Sequence, residues 1–213
     1  MNVITLSDKD VIIKSISKRA KEIIIDCINE NNICNIAILN KKVIMEVIAS
    51  LAGYNDIDWS KVKFVNVEDG YEKASCDSGT HPYDSNAFNH IMKFYQHIEG
   101  TTIDLTFIDV DCSYFKDFIS LTKENDCHGK YIVHKGVQYQ SPIGFNDLLK
   151  SKNIIMLFPF KEQAPLVKQL IEGRDNKNSN IYHIKKNKNI SVYISQVATS
   201  KLQNKKIPKY LVI

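Results

Sequence analysis

The residues of this chain that could carry out acid–base chemistry are a pair of carboxylates and a histidine. Glu68 and Asp69 directly follow the apolar segment 59–67. A carboxylate at the carboxyl end of a strand is well placed for proton transfer, because ligands of open parallel sheets gather at that edge. His128 lies close to Asp126 in sequence, and an imidazole titrates near neutrality, as a general base should. These residues could instead have no catalytic role, because acidic residues are common in turns and the histidine could lie in a surface loop.

Other catalytic and metal-binding patterns are weak. The five cysteines include no CxxC pair, which argues against a disulfide framework and against a thiolate zinc site. His90 and His97 are seven residues apart, whereas helical metal ligands usually pair three or four residues apart. Cys127 and His128 are adjacent, and neighbouring side chains point apart, so a thiol nucleophile is disfavoured. The sequence has no Walker A, G-x-S-x-G or G-x-G-x-x-G segment. We therefore predict neither a metal nor a cofactor.

Charge and hydropathy limit the partners. The 213-residue chain has a formal net charge of +4, and its lysines are scattered along the sequence. Nucleic-acid binding by counterion release needs a dense basic face instead. The apolar runs are too short to span a bilayer, and the N-terminus lacks the pattern of a signal peptide. These features predict a cytoplasmic protein that binds neither nucleic acid nor membrane; whether it forms a homo-oligomer is left open.

The elements that must position these residues alternate between helix and strand. Helical spacing of apolar residues predicts helices at 7–31, 43–52, 85–98, 141–149 and 163–173, and apolar runs predict strands at 34–39, 59–67, 103–110, 115–121, 153–158 and 190–194. The polar stretch 175–188 is predicted to be a loop. Alternating strands and helices pair in parallel through right-handed crossovers. The sequence therefore predicts one α/β domain over residues 1–213, built as a three-layer sandwich around a mostly parallel sheet.

Four segments of the chain carry a resemblance to a known family. Residues 58–69, DWSKVKFVNVED, resemble a W-S-K-V strand that ends in an Asp-Glu pair, here in reversed order. HPYDSN at 81–86 resembles an H-P-x-x-S-N segment, 153–173 resembles a strand followed by A-x₇-E-G, and 189–194 resembles a closing strand. In this order, the segments are similar to those of the 6-phosphogluconolactonase and glucosamine-6-phosphate isomerase (deaminase) family. The resemblance covers most of the chain and implies a Rossmann-like sheet and a small-molecule sugar phosphate as ligand.

The chain departs from that family at the loop that binds phosphate. In the family, the first buried strand runs into an S/T-G-G-S/T-P loop, whose backbone N–H groups cradle the substrate phosphate. Glycine suits such a cradle because it permits positive φ and close approach of an anion. Here the same register reads Asn40-Lys41-Lys42-Val43-Ile44. Lys41 and Lys42 could offer charge to a phosphate but not the backbone cradle; the alternative is an exposed turn before a helix.

The family's central G-x-G-x-D-G-H motif can be placed in two registers. One register uses residues 117–128, where Asp126 and His128 persist and the three glycines have become Thr122, Glu124 and Cys127. The other register takes 103–110 as the preceding strand, and then neither functional residue persists. The first register retains the chemistry, whereas the second has the cleaner apolar strand.

The resemblance also implies contacts at two further places. The family's phosphate-binding lysine falls on Gln163, with Lys161 two residues away as a substitute. Ser85 and Asn86 match the end of the H-P-x-x-S-N segment, although serine is also a strong helix cap and needs no ligand to explain it.

Two functions follow from the resemblance, and the sequence leaves open whether the chain is an active enzyme. The first is hydrolysis of a sugar-phosphate lactone, or the related isomerisation and deamination of an amino-sugar phosphate. His128 or Glu68 would then move the proton, with Asp126 orienting the base and Asp69 beside it. The second is a non-catalytic member that binds a sugar phosphate or serves as a scaffold or regulatory subunit. The lost glycines favour the second function, and the retained Asp126 and His128 favour the first.

Overall fold

The structure of this protein is a computed structural model that describes residues 1–39, 43–66, 94–95, 102–110, 131–134, 137–140, 148–173 and 180–203. Its strands are β1 (Asn2–Leu6), β2 (Cys34–Leu39), β3 (Val62–Asn66), β4 (Phe94–Tyr95), β5 (Leu105–Asp109), β6 (Tyr131–His134), β7 (Val137–Gln140), β8 (Asn153–Phe158) and β9 (Ile190–Ser195). Its helices are α1 (Lys9–Asn31), α2 (Ile44–Ala52), α3 (Ala164–Glu172) and α4 (Asn180–Lys186).

Seven of these strands form one sheet, in the order β1-β9-β8-β5-β2-β3-β4. Every neighbouring pair in it is parallel, while β6 and β7 form a separate antiparallel pair. The chain leaves β2 toward β3 and β4 on one side, and leaves β5 toward β8 and β9 on the other. The direction of winding therefore reverses between the adjacent strands β2 and β5.

Both faces of the sheet are buried under helices. One face packs against α1 and α2 and carries side chains such as Ile36, Phe107 and Leu157. The other packs against α3 and α4 and carries the alternate residues of the same strands, such as Ala37 and Met156. Successive side chains of a strand point to opposite faces, so a strand covered on both sides needs an unbroken apolar run. The predicted α/β sandwich with a Rossmann-like parallel sheet is confirmed.

Helix α1 begins and ends at polar residues that satisfy its backbone. The Asp8 carboxylate accepts a hydrogen bond from the backbone N–H of Val11 at 3.0 Å, which caps the first turn. At the other end Asn32 has a φ of 59°, a left-handed conformation that commonly terminates helices, and its N–H donates to the carbonyl of Ile28. The helix predicted at 7–31 is confirmed, beginning two residues later.

Some local predictions are wrong, each for a physical reason. Residues 94–95 lie in the predicted helix 85–98 but pair with β3 as β4, because aromatic side chains suit a strand and tertiary pairing overrides local periodicity. The predicted loop 175–188 contains α4, whose buried Ile181 and Ile184 lie on one helical face. Strand β1 was not predicted. The predicted strand 115–121 and residues 141–147 of the predicted helix 141–149 lie outside the described residues, while residues 148 and 149 are helical.

None of the helices in the described part of the chain is long and apolar enough to cross a membrane.

Gly173 provides a test of packing at the end of α3. A Cβ atom built there would lie 2.2 Å from the backbone oxygen of Gln169. Backbone cannot move aside without distorting the helix, so we expect Gly173→Ala to lower the free energy of unfolding by about 1–3 kcal/mol. Gly53→Ala is the matched control, because the nearest atom there, the backbone oxygen of Ser50, is 3.4 Å away. Thermal unfolding measures both variants, and equal melting temperatures would contradict the prediction.

Candidate functional site

The reversal of winding between β2 and β5 marks the place where this fold can hold a ligand. In open α/β sheets, connections that leave adjacent strands in opposite directions open a crevice at the carboxyl ends of those strands, and ligands bind there. By this rule the crevice is expected beyond Leu39 of β2 and Asp109 of β5. We call it the switch-point crevice.

A buried carboxylate stands at this crevice. Asp109, the last residue of β5, is 4% exposed. Its Oδ2 accepts a hydrogen bond of 2.8 Å from the backbone N–H of Val43, the residue that precedes α2. Valine has no polar side chain, and α2 has no side-chain cap of its own. The carboxylate of the neighbouring strand therefore caps α2 and complements the positive end of its dipole.

This arrangement involves residues of the segment that the resemblance assigns to phosphate binding. Val43 and Ile44 of that segment are fully buried, and the N–H of Val43 already has an internal anion as its partner. Lys41 and Lys42 lie outside the described residues. The part of the segment that the structure describes is therefore packed and bonded within the chain.

Gln163 lies near the same edge of the sheet, and both ends of its amide are bonded to backbone. It is 3% exposed and belongs to the short turn Lys161–Gln163 between β8 and α3. Its Oε1 accepts from the N–H of Phe160 at 2.8 Å, and its Nε2 donates to the carbonyl of Val110, just beyond β5. Lys161, on the same turn, is exposed. The residue at the family's lysine position thus joins two strand ends together.

The Glu172-Gly173 pair, which carries part of the resemblance, also makes structural contacts. Glu172 Oε1 accepts a hydrogen bond from the N–H of Gln203 at 2.7 Å. The carbonyl of Gly173 accepts one from Nζ of Lys185, also at 2.7 Å. These bonds attach the end of α3 to α4 and to the chain beyond β9.

The structure contains the strand that the second register of the central motif requires. That strand is β5, which lies between β2 and β8. The next residues are Val110, Asp111 and Cys112, so neither the glycines nor the histidine of the motif follow it. Residues 115–121, the strand of the first register, lie outside the described residues.

The remaining predicted site residues also lie outside the described residues, and their roles stay predictions: Lys41, Lys42, Glu68, Asp69, Ser85, Asn86, Asp126 and His128. Glu68 follows the end of β3 by two residues in sequence. Sequence reasoning missed Asp109, although an acidic residue at the end of a buried apolar run was a usable signal.

A second polar cluster lies at the opposite, amino-terminal edge of the sheet. Burial raises the pKa of the Cys34 thiol well above its ordinary value, with the neighbouring Cys27 adding to the effect. Burial likewise raises the pKa of Cys27, and the charge of Asp104 raises it further. Lys152 forms an ion pair with Asp104 at 2.9 Å, and the hydrogen bond between them raises the pKa of the lysine.

No protein-family model and no curated protein matches the chain in sequence. Solved structures do match it in fold. A 6-phosphogluconolactonase from Shewanella baltica has a TM-score of 0.67 at 12% identity, over 92% of this chain and 97% of that one. A 6-phosphogluconolactonase from Leishmania guyanensis has a TM-score of 0.64 at 10% identity, over 95% and 99%. A monomeric glucosamine-6-phosphate deaminase has a TM-score of 0.59 at 17% identity, over 94% and 99%. At such identities the likeness establishes the fold, and at that level the predicted family resemblance is confirmed.

The bonds of Gln163 lead to a prediction on stability. Gln163→Ala leaves the N–H of Phe160 and the carbonyl of Val110 without their partner. An unsatisfied buried polar group costs about 1–3 kcal/mol, so we expect the free energy of unfolding to fall by roughly that amount or more. Gln169→Ala, on the exposed face of α3, is the control and should change little. Denaturant unfolding measures both; a Gln163→Ala protein as stable as the control would show that these bonds contribute nothing.

Proposed function

We propose that this chain, which has the fold of the 6-phosphogluconolactonases and of a glucosamine-6-phosphate deaminase, binds a hexose phosphate in the switch-point crevice without turning it over. The ligand class comes from the names of those structures and from the ordered motifs of the sequence. The location comes from the topology, because the winding reverses between β2 and β5.

The observation that carries the proposal is the hydrogen bond from Val43 to Asp109. In the family this loop gives its backbone N–H groups to the substrate phosphate, whereas here a buried carboxylate accepts from one of them. A phosphate at the same place would also meet that negative charge, and two unit charges 4 Å apart near a protein surface repel by roughly 4 kcal/mol. On this proposal, the side chains of Lys41 and Lys42 supply the charge that recognises the phosphate.

Recognition by lysine side chains favours binding over catalysis. An ammonium group is a point charge on a flexible stem, so it attracts a phosphate without fixing its orientation. Catalysis needs the reacting atoms held in a narrow range of geometry, and a misplacement of about 1 Å can cost a hundredfold in rate. The three missing glycines of the central motif support the same conclusion.

A second candidate function is hydrolysis of a sugar-phosphate lactone or the related isomerisation and deamination. The observation in its favour is that Glu68 and Asp69 come two and three residues after the end of β3 in sequence, since a proton-transfer group belongs near the carboxyl end of such a strand. In that case His128 or Glu68 moves the proton, Asp126 orients the base, and Ser85, Asn86 and Lys161 contact the ligand.

Ligand-induced melting tests the proposal. At about 100 times its dissociation constant, 6-phosphogluconate or glucosamine 6-phosphate should stabilise the chain by about 2.7 kcal/mol, which for a protein of this size raises the melting temperature by roughly 5–10 °C. The double variant Lys41→Ala/Lys42→Ala should lose the shift. Lys14→Ala/Lys18→Ala, which removes two exposed lysines of α1, is the control of equal charge and should keep it.

The same preparation distinguishes the two candidates. We expect lactone hydrolysis at the spontaneous rate. Acceleration that is lost in His128→Ala and Glu68→Ala would establish the enzymatic candidate and overturn the non-catalytic one. If neither sugar phosphate shifts the melting temperature and no turnover occurs, both sugar-phosphate functions are wrong and a scaffold role is left.

Asp109→Asn tests the role given to the buried carboxylate. The amide oxygen still accepts from the N–H of Val43, while the negative charge that opposes a phosphate is gone. We expect the dissociation constant for the hexose phosphate to fall by about tenfold, equivalent to about 1.4 kcal/mol. Asp26→Asn, on the exposed surface of α1, removes the same charge elsewhere and should not change the affinity. Calorimetric titration measures both, and equal affinities for the two variants would contradict this role.

A further inference from the structure

Three metal-ligating side chains converge at the amino-terminal edge of the sheet, away from the switch-point crevice. Cys27 comes from the last two turns of α1, Cys34 is the first residue of β2, and Asp104 directly precedes β5. The two sulfur atoms and a carboxylate oxygen all lie within 4.8 Å of one another. The three residues are 6%, 0% and 3% exposed, respectively.

We propose that Cys27, Cys34 and Asp104 bind one divalent metal ion of the zinc class. Zinc binds sulfur at about 2.3 Å and carboxylate oxygen at about 2.0–2.2 Å, so tetrahedral ligand atoms lie roughly 3.5–3.8 Å apart. Since the ligand atoms lie within 4.8 Å of one another, their separations need to close by about 1.3 Å at most. Two sulfur ligands select zinc or cadmium over magnesium and calcium, which prefer oxygen.

The carboxylate of this site is already held in place by outer contacts. Asp104 Oδ2 accepts a hydrogen bond from the backbone N–H of Asn35 at 2.9 Å, and its Oδ1 lies 2.9 Å from Nζ of Lys152. Metal-ligating carboxylates are typically hydrogen-bonded in this way, which fixes their orientation. An oxygen with two lone pairs can keep such a contact while it binds a metal.

Charge also balances at this site. The ion displaces one proton from each thiol, so M²⁺ and two Cys–SH groups give a dithiolate complex and two released protons. Two thiolates, the carboxylate, the Lys152 ammonium and M²⁺ sum to zero, as a buried site requires. Three protein ligands leave one tetrahedral position for water. The Lys152 side chain is 46% exposed, so the site lies one side chain beneath the surface and an ion can reach it.

A disulfide between the same two cysteines is the alternative to a metal site, but it explains fewer of the observed contacts. The positioned carboxylate of Asp104 has no part in a disulfide, whereas it completes a metal site. The metal would link α1, β2 and the start of β5 and so stabilise the fold, without any role in the chemistry of the crevice.

Cadmium titration of the chelator-treated full chain tests the site. Cd²⁺ serves as the probe because sulfur-to-cadmium charge transfer absorbs in the ultraviolet. We expect saturation at one Cd²⁺ per chain, release of two protons in weak buffer and a rise in melting temperature, with Zn²⁺ competing and Mg²⁺ inert. Absence of the absorption band or of proton release would overturn the proposal.

Variants assign the ion to these residues. The triple variant Cys76→Ser/Cys112→Ser/Cys127→Ser should bind as the parent does, whereas Cys27→Ser/Cys34→Ser should lose the band. Asp104→Asn, which keeps the hydrogen-bond acceptor, should weaken the binding of Cd²⁺ at least tenfold. If the double variant does not fold, the single variant Cys27→Ala provides the test. It keeps the apolar packing and should halve the absorption band. A band lost in the triple variant, or unchanged in Cys27→Ala or Asp104→Asn, places the ion elsewhere and overturns the proposal.

Discussion

Two buried carboxylates, one at each end of β5, hold the neighbouring strand β2 in place. Asp104 precedes β5 and accepts from the N–H of Asn35 at the start of β2, while Asp109 ends β5 and accepts from the N–H of Val43 beyond the end of β2. Burying a charge is costly unless it is hydrogen-bonded or paired. Each carboxylate therefore specifies the position of the backbone that satisfies it. Together, these two hydrogen bonds fix β2 against β5 at the point where the winding of the sheet reverses.

A parallel sheet covered on both faces leaves its edges as the places for chemistry. In the core, the buried hydroxyl groups of Thr106 and Ser151 are hydrogen-bonded to each other at 2.7 Å. The groups that could act on a ligand or an ion gather at strand ends instead. Asp109 and Gln163 lie at the carboxyl edge, and the Cys27–Cys34–Asp104 cluster lies at the amino edge. The two edges can change independently, because the apolar core separates them.

The local elements were predictable from the sequence, whereas the contacts that define the sites were not. Strands at 34–39 and 153–158 are predicted to the residue, because an unbroken apolar run bounded by polar residues has few other structures. Helix α4 and strand β4 were missed, because each has too few apolar residues to produce a recognisable pattern of its own. The partner of Asp109 is 66 residues earlier in the chain, and the partners of Asp104 are Asn35 of β2 and Lys152, which directly precedes β8. Such pairings depend on the sheet order, which no local pattern contains.

The N-terminus of α2 is satisfied by a carboxylate of the chain itself. The N-terminus of a helix favours an anion, and an enzyme that reserves this position for substrate leaves it unsatisfied when no substrate is bound. A carboxylate supplied by the chain satisfies it permanently. In this chain, Asp109 therefore occupies the position at the N-terminus of α2 that a ligand anion could otherwise take. A chain selected to turn over a phosphate ester has reason to keep the position open; a chain selected for a stable binding or scaffolding surface has reason to fill it. The filled position is the physical basis of our proposal that this chain binds a ligand without turning it over.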